Sequence, residues 1–377
     1  MRTKFFAIIT ALVLCLGFRP AQSATETIIH TFADGVEGYG PRAGVTIDGD
    51  GNLYGTTGYA GANGHGTIFK IAPNGDYSVL YAFTDGTPSD SESANLVIDE
   101  DGNLYGTQSS GGSAYNSGTL YQLSAGGVFK VLHVFTGGLD GGSPEGGVLI
   151  NKFGELVGTT SSGGADGRGT VFKVGTDGAF KVLHTISPDD GAYPRTRLIG
   201  DTAGNLYGTT AGMSCGSTVF KLTPKRVFSV LDTFDCGESG YGLRSGLVRD
   251  GANNLYGTAV AYGANGHGTL YKITASGTFS VLYAFGASAT DGTSPKGALV
   301  RDGHGNIYGT TEFGGANASG TVFRISPAGI ETILHSFDTS TEGGYPRGGL
   351  TWGPKGILYG TTLAGGGGFG TVFKIRP

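Results

Sequence analysis

One polar position recurs in each of seven repeated segments of this 377-residue chain. It lies six residues before the end of a motif of the type Pro-Arg-x-Gly-Val-x-x-Asp. The seven residues are Arg42, Ser93, Glu145, Arg195, Arg244, Lys296 and Arg347. Five of them are basic, and arginine forks suit carboxylate, phosphate or sulfate groups. If these positions face a common axis, they form a focused positive site for an anion.

A second interpretation of the basic positions is local pairing with acids. Every loop that leads into the motif contains at least one carboxylate. These loop acids are Asp34, Glu37, Asp85, Asp140, Asp189, Glu238, Asp291 and Glu342. Paired cations would be structural, whereas unpaired cations would bind a ligand. The sequence leaves both interpretations open.

Aromatic residues accompany the basic positions. Tyr39, Tyr193, Tyr241 and Tyr345 stand just before four of them. A second set lies in the loops between the second and third strands of the repeat: Tyr59, Tyr115, Tyr262, Phe313 and Phe369. Exposed rings beside polar groups suit stacking against sugars. Packing of the loops onto the sheet explains them equally well.

Two groups of histidines differ in their relation to the repeat. His30, His133, His184 and His335 share one position of the outermost strand motif, which indicates a structural role. His65 and His267 lie in identical Gly-Ala-Asn-Gly-His-Gly loops of the first and fifth segments and depart from the other segments. We therefore count His65 and His267 as candidate ligand-binding residues. Their segments are far apart, so a shared metal is not expected.

Two further motifs concern turns and cysteines. Asp48-Gly49-Asp50-Gly51-Asn52 resembles the start of a calcium loop but lacks the distal glutamate, so a hairpin turn is the better interpretation. Cys215 and Cys236 have the same sum of residue numbers as Leu222 and Ser229, which flank a tight turn. Antiparallel register then places the two cysteines opposite each other. We predict a disulfide that contributes about 3 kcal/mol or less.

The elements that position these residues follow from the repeat. Leu-Tyr-Gly-Thr or a variant occurs seven times at intervals of about 51 residues, with its glycine at Gly55, Gly106, Gly158, Gly208, Gly257, Gly309 and Gly360. Three other motifs recur with it. Each is short, rich in β-branched and aromatic residues, and bounded by turn residues, which is typical of a strand. The first repeat has strands over 43–48, 52–57, 66–71 and 77–83.

Four strands repeated seven times predict an all-β, seven-bladed β-propeller with four strands per blade. After residue 23 the chain begins with the motif of an outermost strand, at residues 26–32. It ends with the motif of a third strand, at residues 370–375. Residues 26–32 are therefore expected to supply the outer strand of the last blade and close the ring, which removes a free sheet edge. A solenoid would need polar caps at both ends, and the sequence contains none.

Composition and the N-terminus limit the remaining choices. Glycine makes up 73 of 377 residues, but the regular spacing of collagen is missing and aromatics reach 11 %, which argues against disorder. Residues 1–23 have a basic start, an apolar run and small residues at the end, as in a secretory signal peptide. The predicted domain is residues 24–377. It has 22 basic and 30 acidic residues, a net charge of −8, which argues against nucleic-acid binding.

The strand motifs also carry a family resemblance. Residues 44–57 and the following Gly-Thr-Ile-Phe-Lys-Ile (66–71) resemble the Gloeo/Verruco ("GloVer") tandem repeat of secreted bacterial proteins. The strand order is similar to NHL-repeat and gluconolactonase-like propellers. The resemblance covers nearly the whole chain after residue 23. It implies an extracellular location and no established activity.

Three functions are compatible with these observations. The first is a secreted or periplasmic protein that binds an anionic ligand, an acidic oligosaccharide, at the channel mouth. The second is a lyase or hydrolase acting on a uronic-acid glycan at the same face. The third is a platform for an extracellular protein partner. We expect no cofactor, no metal, no membrane span and a monomer, and the catalytic residues, if any, are unknown.

Overall fold

The computed structural model describes residues 24–84, 95–112, 116–212, 215–365 and 367–377. The predicted signal peptide, Ser93, Tyr115 and Asp85 lie outside the described residues. Seven four-stranded antiparallel sheets follow one another along the chain. They form a seven-bladed β-propeller, as predicted. Its only helical element among the described residues is a short 3-10 turn at Pro354–Gly356.

The strands are numbered in chain order, and each blade contributes one strand to each of four positions. The innermost strands are β2 (Thr46–Ile47), β6 (Val97–Ile98), β10 (Val148–Ile150), β14 (Ile199–Gly200), β18 (Val248–Arg249), β23 (Val300–Arg301) and β28 (Thr351–Trp352). The second strands are β3 (Leu53–Thr56), β7 (Leu104–Gln108), β11 (Leu156–Thr160), β15 (Leu206–Thr209), β19 (Leu255–Ala259), β24 (Ile307–Thr311) and β29 (Leu358–Thr362).

The outer half of each blade is longer and more regular. The third strands are β4 (Thr67–Ile71), β8 (Thr119–Leu123), β12 (Thr170–Val174), β16 (Ser217–Leu222), β20 (Thr269–Ile273), β26 (Thr321–Ile325) and β30 (Thr371–Arg376). The outermost strands are β5 (Tyr77–Ala82), β9 (Phe129–Val134), β13 (Phe180–Thr185), β17 (Phe228–Phe234), β21 (Phe279–Ala284), β27 (Glu331–Ser336) and, in the last blade, β1 (Thr25–Thr31). A small extra pair joins β22 (Gly292–Thr293) to β25 (Phe313–Gly314).

The ring closes through its N-terminal strand. β1 pairs antiparallel with β30, so the last blade has the order β28-β29-β30-β1. This confirms the predicted closure. The innermost strands are shorter than predicted: β2 covers only Thr46–Ile47 of the expected 43–48. The residues before it leave the sheet and line the channel.

The core consists of seven apolar clusters, each formed where two neighbouring blades meet. The glycine of the Leu-Tyr-Gly-Thr motif lies under an aromatic ring of the third strand. Gly208 pairs with Phe220, and a Cβ on Gly208 would lie 2.6 Å from Cζ of that ring. The Leu-Tyr-Gly-Thr motif and the third-strand motif therefore pack against each other, with the aromatic ring of the third strand covering the glycine of the second.

The predicted disulfide is present. Cys215 and Cys236 are bonded, with their Cα atoms 5.4 Å apart. The predicted pairing of Leu222 with Ser229 is wrong by one residue, because Leu222 faces Phe228. A β-bulge between Val219 and Phe220 then shifts the register by one residue before the cysteines are reached. The same bulge occurs in all seven blades.

Candidate functional site

A repeated backbone device positions the side chains at the channel mouth. Two residues before each recurrent polar position the backbone has a positive φ, with values between 51° and 72° in six blades. The six residues are Gly40, Ser143, Tyr193, Gly242, Ser294 and Tyr345. In five of these blades a proline follows, which fixes the next φ near −65°. A left-handed residue followed by proline holds the chain in one bend before the polar side chain.

This recurring geometry is tied to the neighbouring blade by the threonine of Leu-Tyr-Gly-Thr. The Thr107 hydroxyl donates a hydrogen bond to the carbonyl of Pro144 at 2.6 Å, one residue before Glu145. The Thr258 hydroxyl does the same to Pro295, before Lys296, at 2.9 Å. The second strand of one blade thus anchors the polar position of the next blade.

These positions surround a cavity of about 180 Å³ on the propeller axis. Six of the seven predicted residues line it, and we call them the inner ring: Arg42, Glu145, Arg195, Arg244, Lys296 and Arg347. Among the described residues of the second blade, Asn95 lines the cavity. The structure therefore brings together the six described residues of the recurrent polar position.

Sequence analysis missed one cation in the cavity, Arg197. It lies two residues after Arg195, at a position where most other blades have glycine or alanine, such as Gly246, Ala298 and Gly349. The small residues leave room for the long side chain. Burial lowers the pKa of the Arg197 guanidinium from its ordinary value. Within the described part of the chain, Arg197 makes no hydrogen bond or ion pair.

The other cations have protein contacts, but few carboxylates. Arg195 forms an ion pair with Glu145 at 3.2 Å. Lys296 and Arg347 both contact Glu312, a fully buried residue that the sequence did not identify. Arg42 donates to the Tyr59 hydroxyl, and its guanidinium lies 5.3 Å from the centre of that ring. The Nε atoms of Arg42 and Arg195 are buried without a hydrogen-bond partner.

Charge is therefore unbalanced at the cavity. Among the described residues that line or contact it, six cations face two carboxylates, Glu145 and Glu312. The excess of four positive charges lies inside a chain with an acidic balance. A concave site of one charge in a low-dielectric wall concentrates the field and attracts the opposite charge.

Several loop acids that could have neutralised the inner ring contact the outer strands instead. Three of them pair with histidine Nε2: Glu37 with His30 at 3.3 Å, Asp140 with His133 at 3.1 Å and Glu342 with His335 at 2.7 Å. His184 pairs with Asp190, the neighbour of the predicted Asp189, at 2.8 Å. We call these four histidines and their carboxylates the outer ring. It confirms the structural role predicted for the four histidines.

The rim tyrosines lie outside the cavity lining. Three of them pack loops of the same face together. Tyr39 stacks on Tyr59 with ring centres 5.3 Å apart, Tyr241 contacts Tyr262 at 6.2 Å, and Tyr345 contacts Phe313 at 5.7 Å. The backbone N–H of Tyr193 donates to the Arg168 carbonyl at 3.0 Å.

The two loop histidines also lie outside the described lining. His65 forms a backbone bridge with Ala60, and His267 forms the equivalent bridge with Tyr262. Both close the same loop in the same way. The structure does not bring His65 and His267 to the inner ring.

The Asp48 motif forms a hairpin turn, as interpreted from the sequence. One oxygen of Asp48 accepts from the backbone N–H of Asn52 at 2.9 Å. The other accepts from the Asn52 amide at 2.7 Å and from the Tyr54 hydroxyl at 2.9 Å. These donors use the carboxylate oxygens that a calcium ion would need.

The fold and the cavity define a seven-bladed propeller with a cationic pocket at its axis. The chain belongs to the Gloeobacter/Verrucomicrobia repeat family, whose model matches residues 17–217 and 201–377. No curated protein matches the sequence.

Solved structures show the same fold at low identity. A structure named as a candidate gluconolactonase is 12 % identical, covers 95 % of this chain and 93 % of its own, and has a TM-score of 0.50. The extracellular domain of a hybrid two-component system from B. thetaiotaomicron is 11 % identical with a TM-score of 0.60, covering 92 % of this chain and 39 % of that one. At these identities the likeness concerns the fold alone.

The disulfide bears on location. A Cys215–Cys236 bond is typical of oxidising compartments and supports a location outside the cytoplasm. Within the described residues, no helix has the length and apolar character needed to span a membrane.

Proposed function

We propose that this protein is a secreted or periplasmic binding module for an anionic ligand, an acidic glycan end, at the inner ring. The observation that carries the proposal is Arg197, a half-buried cation that lines the cavity without a described protein partner. An unpaired charge that is partly withdrawn from water is costly, and a ligand carboxylate would lower that cost.

The size of the cavity limits the ligand. The cavity of about 180 Å³ has room for several water molecules, since one water needs about 10–15 Å³ of such space. We therefore expect it to take a single carboxylate-bearing terminal sugar.

The enzymatic and protein-platform alternatives have less support. A lyase or hydrolase needs a positioned base. The described lining contains no histidine or tyrosine, and its one carboxylate, Glu145, is paired with Arg195. A protein partner would use the broad rim and would not need a deep excess of positive charge.

Native mass spectrometry of the protein with acidic and neutral oligosaccharides tests the proposal. We expect complexes with glucuronate- or galacturonate-terminated oligosaccharides, none with neutral ones of the same length, and no new products. Shortened or unsaturated products would instead indicate an enzyme. If neither a complex nor a product forms with any oligosaccharide tested, the ligand is not a glycan of this type.

The Arg197→Ala variant tests whether Arg197 is the cation that binds the ligand carboxylate. A charge-assisted bond to a carboxylate is worth about 1.5–3 kcal/mol, so affinity for glucuronate should fall about 10- to 100-fold by calorimetry. Lys225→Ala is the matched control, because Lys225 lies in an exposed turn between β16 and β17. Equal affinities in the two variants would place the ligand elsewhere.

A further inference from the structure

The junctions between neighbouring outer strands follow one rule in most blades. The first residue of an outer strand stacks on a ring near the end of the preceding outer strand. Tyr77 stacks on His30 at 4.1 Å, and Phe180 stacks on His133 at 3.7 Å, with nearly parallel planes. Phe129 on Tyr81 and Phe228 on His184 are equivalent, both at 4.1 Å. The aromatic ring covers the histidine that pairs with a loop carboxylate.

The junction at His335 breaks this rule. The residue that should be aromatic is Glu26, in the closing strand β1. His335 Nε2 already contacts Glu342 Oε1 at 2.7 Å. The result is an imidazole with two carboxylates, and one ligand atom from each residue lies within 4.8 Å of the other two. All three side chains are half-buried.

Glu26 is poorly satisfied by the protein. Its Oε1 atom is buried and accepts no hydrogen bond. Two carboxylates close together in a half-buried place repel each other unless a cation lies between them.

A second junction with the same exchange differs in the group that lies between its carboxylates. Glu331 replaces the aromatic residue beside Tyr283. The Tyr283 hydroxyl lies 2.8 Å from Glu331 Oε2 and 2.9 Å from Asp291 Oδ2, so a protein group connects these carboxylates. This junction has no histidine. Replacement of the aromatic residue by glutamate is therefore not sufficient to form a set of nitrogen and oxygen ligands. The His335 junction forms one because it also has a histidine.

We propose that Glu26, His335 and Glu342 bind a divalent transition-metal ion such as Zn²⁺. Imidazole nitrogen with carboxylate oxygen is a donor set of zinc and its neighbours rather than of calcium or magnesium. Three protein ligands leave a position for water.

The position of this site gives the metal a structural consequence. Glu26 belongs to the N-terminal strand that closes the ring, whereas His335 and Glu342 belong to the preceding blade. A bound ion would link the closing strand to a second blade in addition to its pairing with β30. Because the site forms only when the ring is closed, metal binding stabilises the closed propeller.

The test is calorimetric titration of ZnCl2 into the EDTA-treated protein, purified without a histidine tag, near pH 7.5. We expect one ion per chain and an upward shift of the melting temperature on addition of Zn²⁺. Co²⁺ should give the visible absorption of a site with nitrogen and oxygen ligands. Absence of Zn²⁺ binding at millimolar concentration would overturn the proposal.

Glu26→Phe is the decisive variant, because it introduces the aromatic stack that His133 and Phe180 already form. The variant should fold, and its Zn²⁺ affinity should fall at least tenfold, with the thermal shift lost. Glu331→Phe is the matched control and should bind Zn²⁺ like the wild type. Equal Zn²⁺ affinity in Glu26→Phe and the wild type would show that the ion binds elsewhere. Glu342→Gln provides a second, nearly isosteric variant with the same expected loss.

Discussion

The inner and outer rings of this propeller contain similar numbers of charged side chains but are neutralised differently. In the outer ring each histidine has its own carboxylate, at 2.7–3.3 Å. In the inner ring the named acid partners are Glu145 and Glu312, shared among several cations. The loops between blades could have supplied acids to either ring. In the histidine–carboxylate pairs described above, these acids contact the outer ring. Such a division leaves a net positive charge at the axis, where a ligand can approach.

The repeat explains the difference between the rings. An outer-ring histidine touches the same two partners in several blades, so its role is the architecture of a junction. Inner-ring positions vary in identity from blade to blade, and Arg197 occurs in one blade only. Variation on a repeated scaffold is expected where one ligand meets seven different blades.

The largest expected effect is on stability at the outer ring. His133→Ala removes the stack on Phe180 and leaves Asp140 without its imidazole partner. We expect a loss of about 2–3 kcal/mol in the free energy of unfolding and unchanged affinity for anions. Urea denaturation and calorimetry measure the two quantities. His304→Ala, in a highly exposed turn, is the control and should change neither. A loss of anion binding in His133→Ala would show that the outer ring also contributes to ligand binding, which contradicts the separation of the two roles.

A smaller effect is expected when the inner ring loses a carboxylate. Glu312→Gln keeps the shape between Lys296 and Arg347 but removes one negative charge. Affinity for glucuronate should rise about tenfold, about 1.4 kcal/mol, and more at low salt. Glu100→Gln, an exposed change in a turn before β7, should leave affinity unchanged. Weaker binding in Glu312→Gln would show that this carboxylate contacts the ligand.

The smallest effect concerns pH at the outer junction of Glu331. Burial and the charge of Asp291 raise the pKa of Glu331 to about 7, while the Tyr283 hydroxyl opposes the rise. A raised folded pKa means that stability is greatest below the ordinary value of 4.5 and is lost as pH rises through 7. In EDTA, Glu331→Gln should reduce this loss by about 1 kcal/mol, after allowance for solvent screening. Denaturation curves at pH 4.5 and pH 8 give the free energy of unfolding of the wild type and of Glu331→Gln. An equal fall in both proteins would show that Glu331 is not the titrating group.

Much of the fold could be predicted because each blade repeats the same local chemistry. The glycine under Phe220 and the turn at Asp48 are specified by short motifs, and seven copies define the propeller. The permuted strand 26–32 predicted the closure. The Cys215–Cys236 bond could be predicted from antiparallel register, although the bulge at Val219 could not. A bulge leaves no mark in residue identity when both neighbours are apolar.

The inner ring could be predicted from alignment of the repeats, but its charge balance could not. Glu312 comes from a loop distant in sequence from Lys296 and Arg347, and only the folded ring brings them together. Arg197 carried a visible signal, because it replaces a residue that is small in most other blades. Glu26 carried the same kind of signal, a charged residue where most blades have an aromatic one, although the sequence analysis predicted no metal.

A crystal structure of the protein grown with millimolar glucuronate tests the central claim most directly. The claim predicts electron density for the sugar in the axial cavity, with its carboxylate within hydrogen-bond distance of the Arg197 guanidinium. A cavity occupied by water alone, at a concentration that saturates binding in solution, would contradict it. Density for the sugar at the rim tyrosines would contradict it equally.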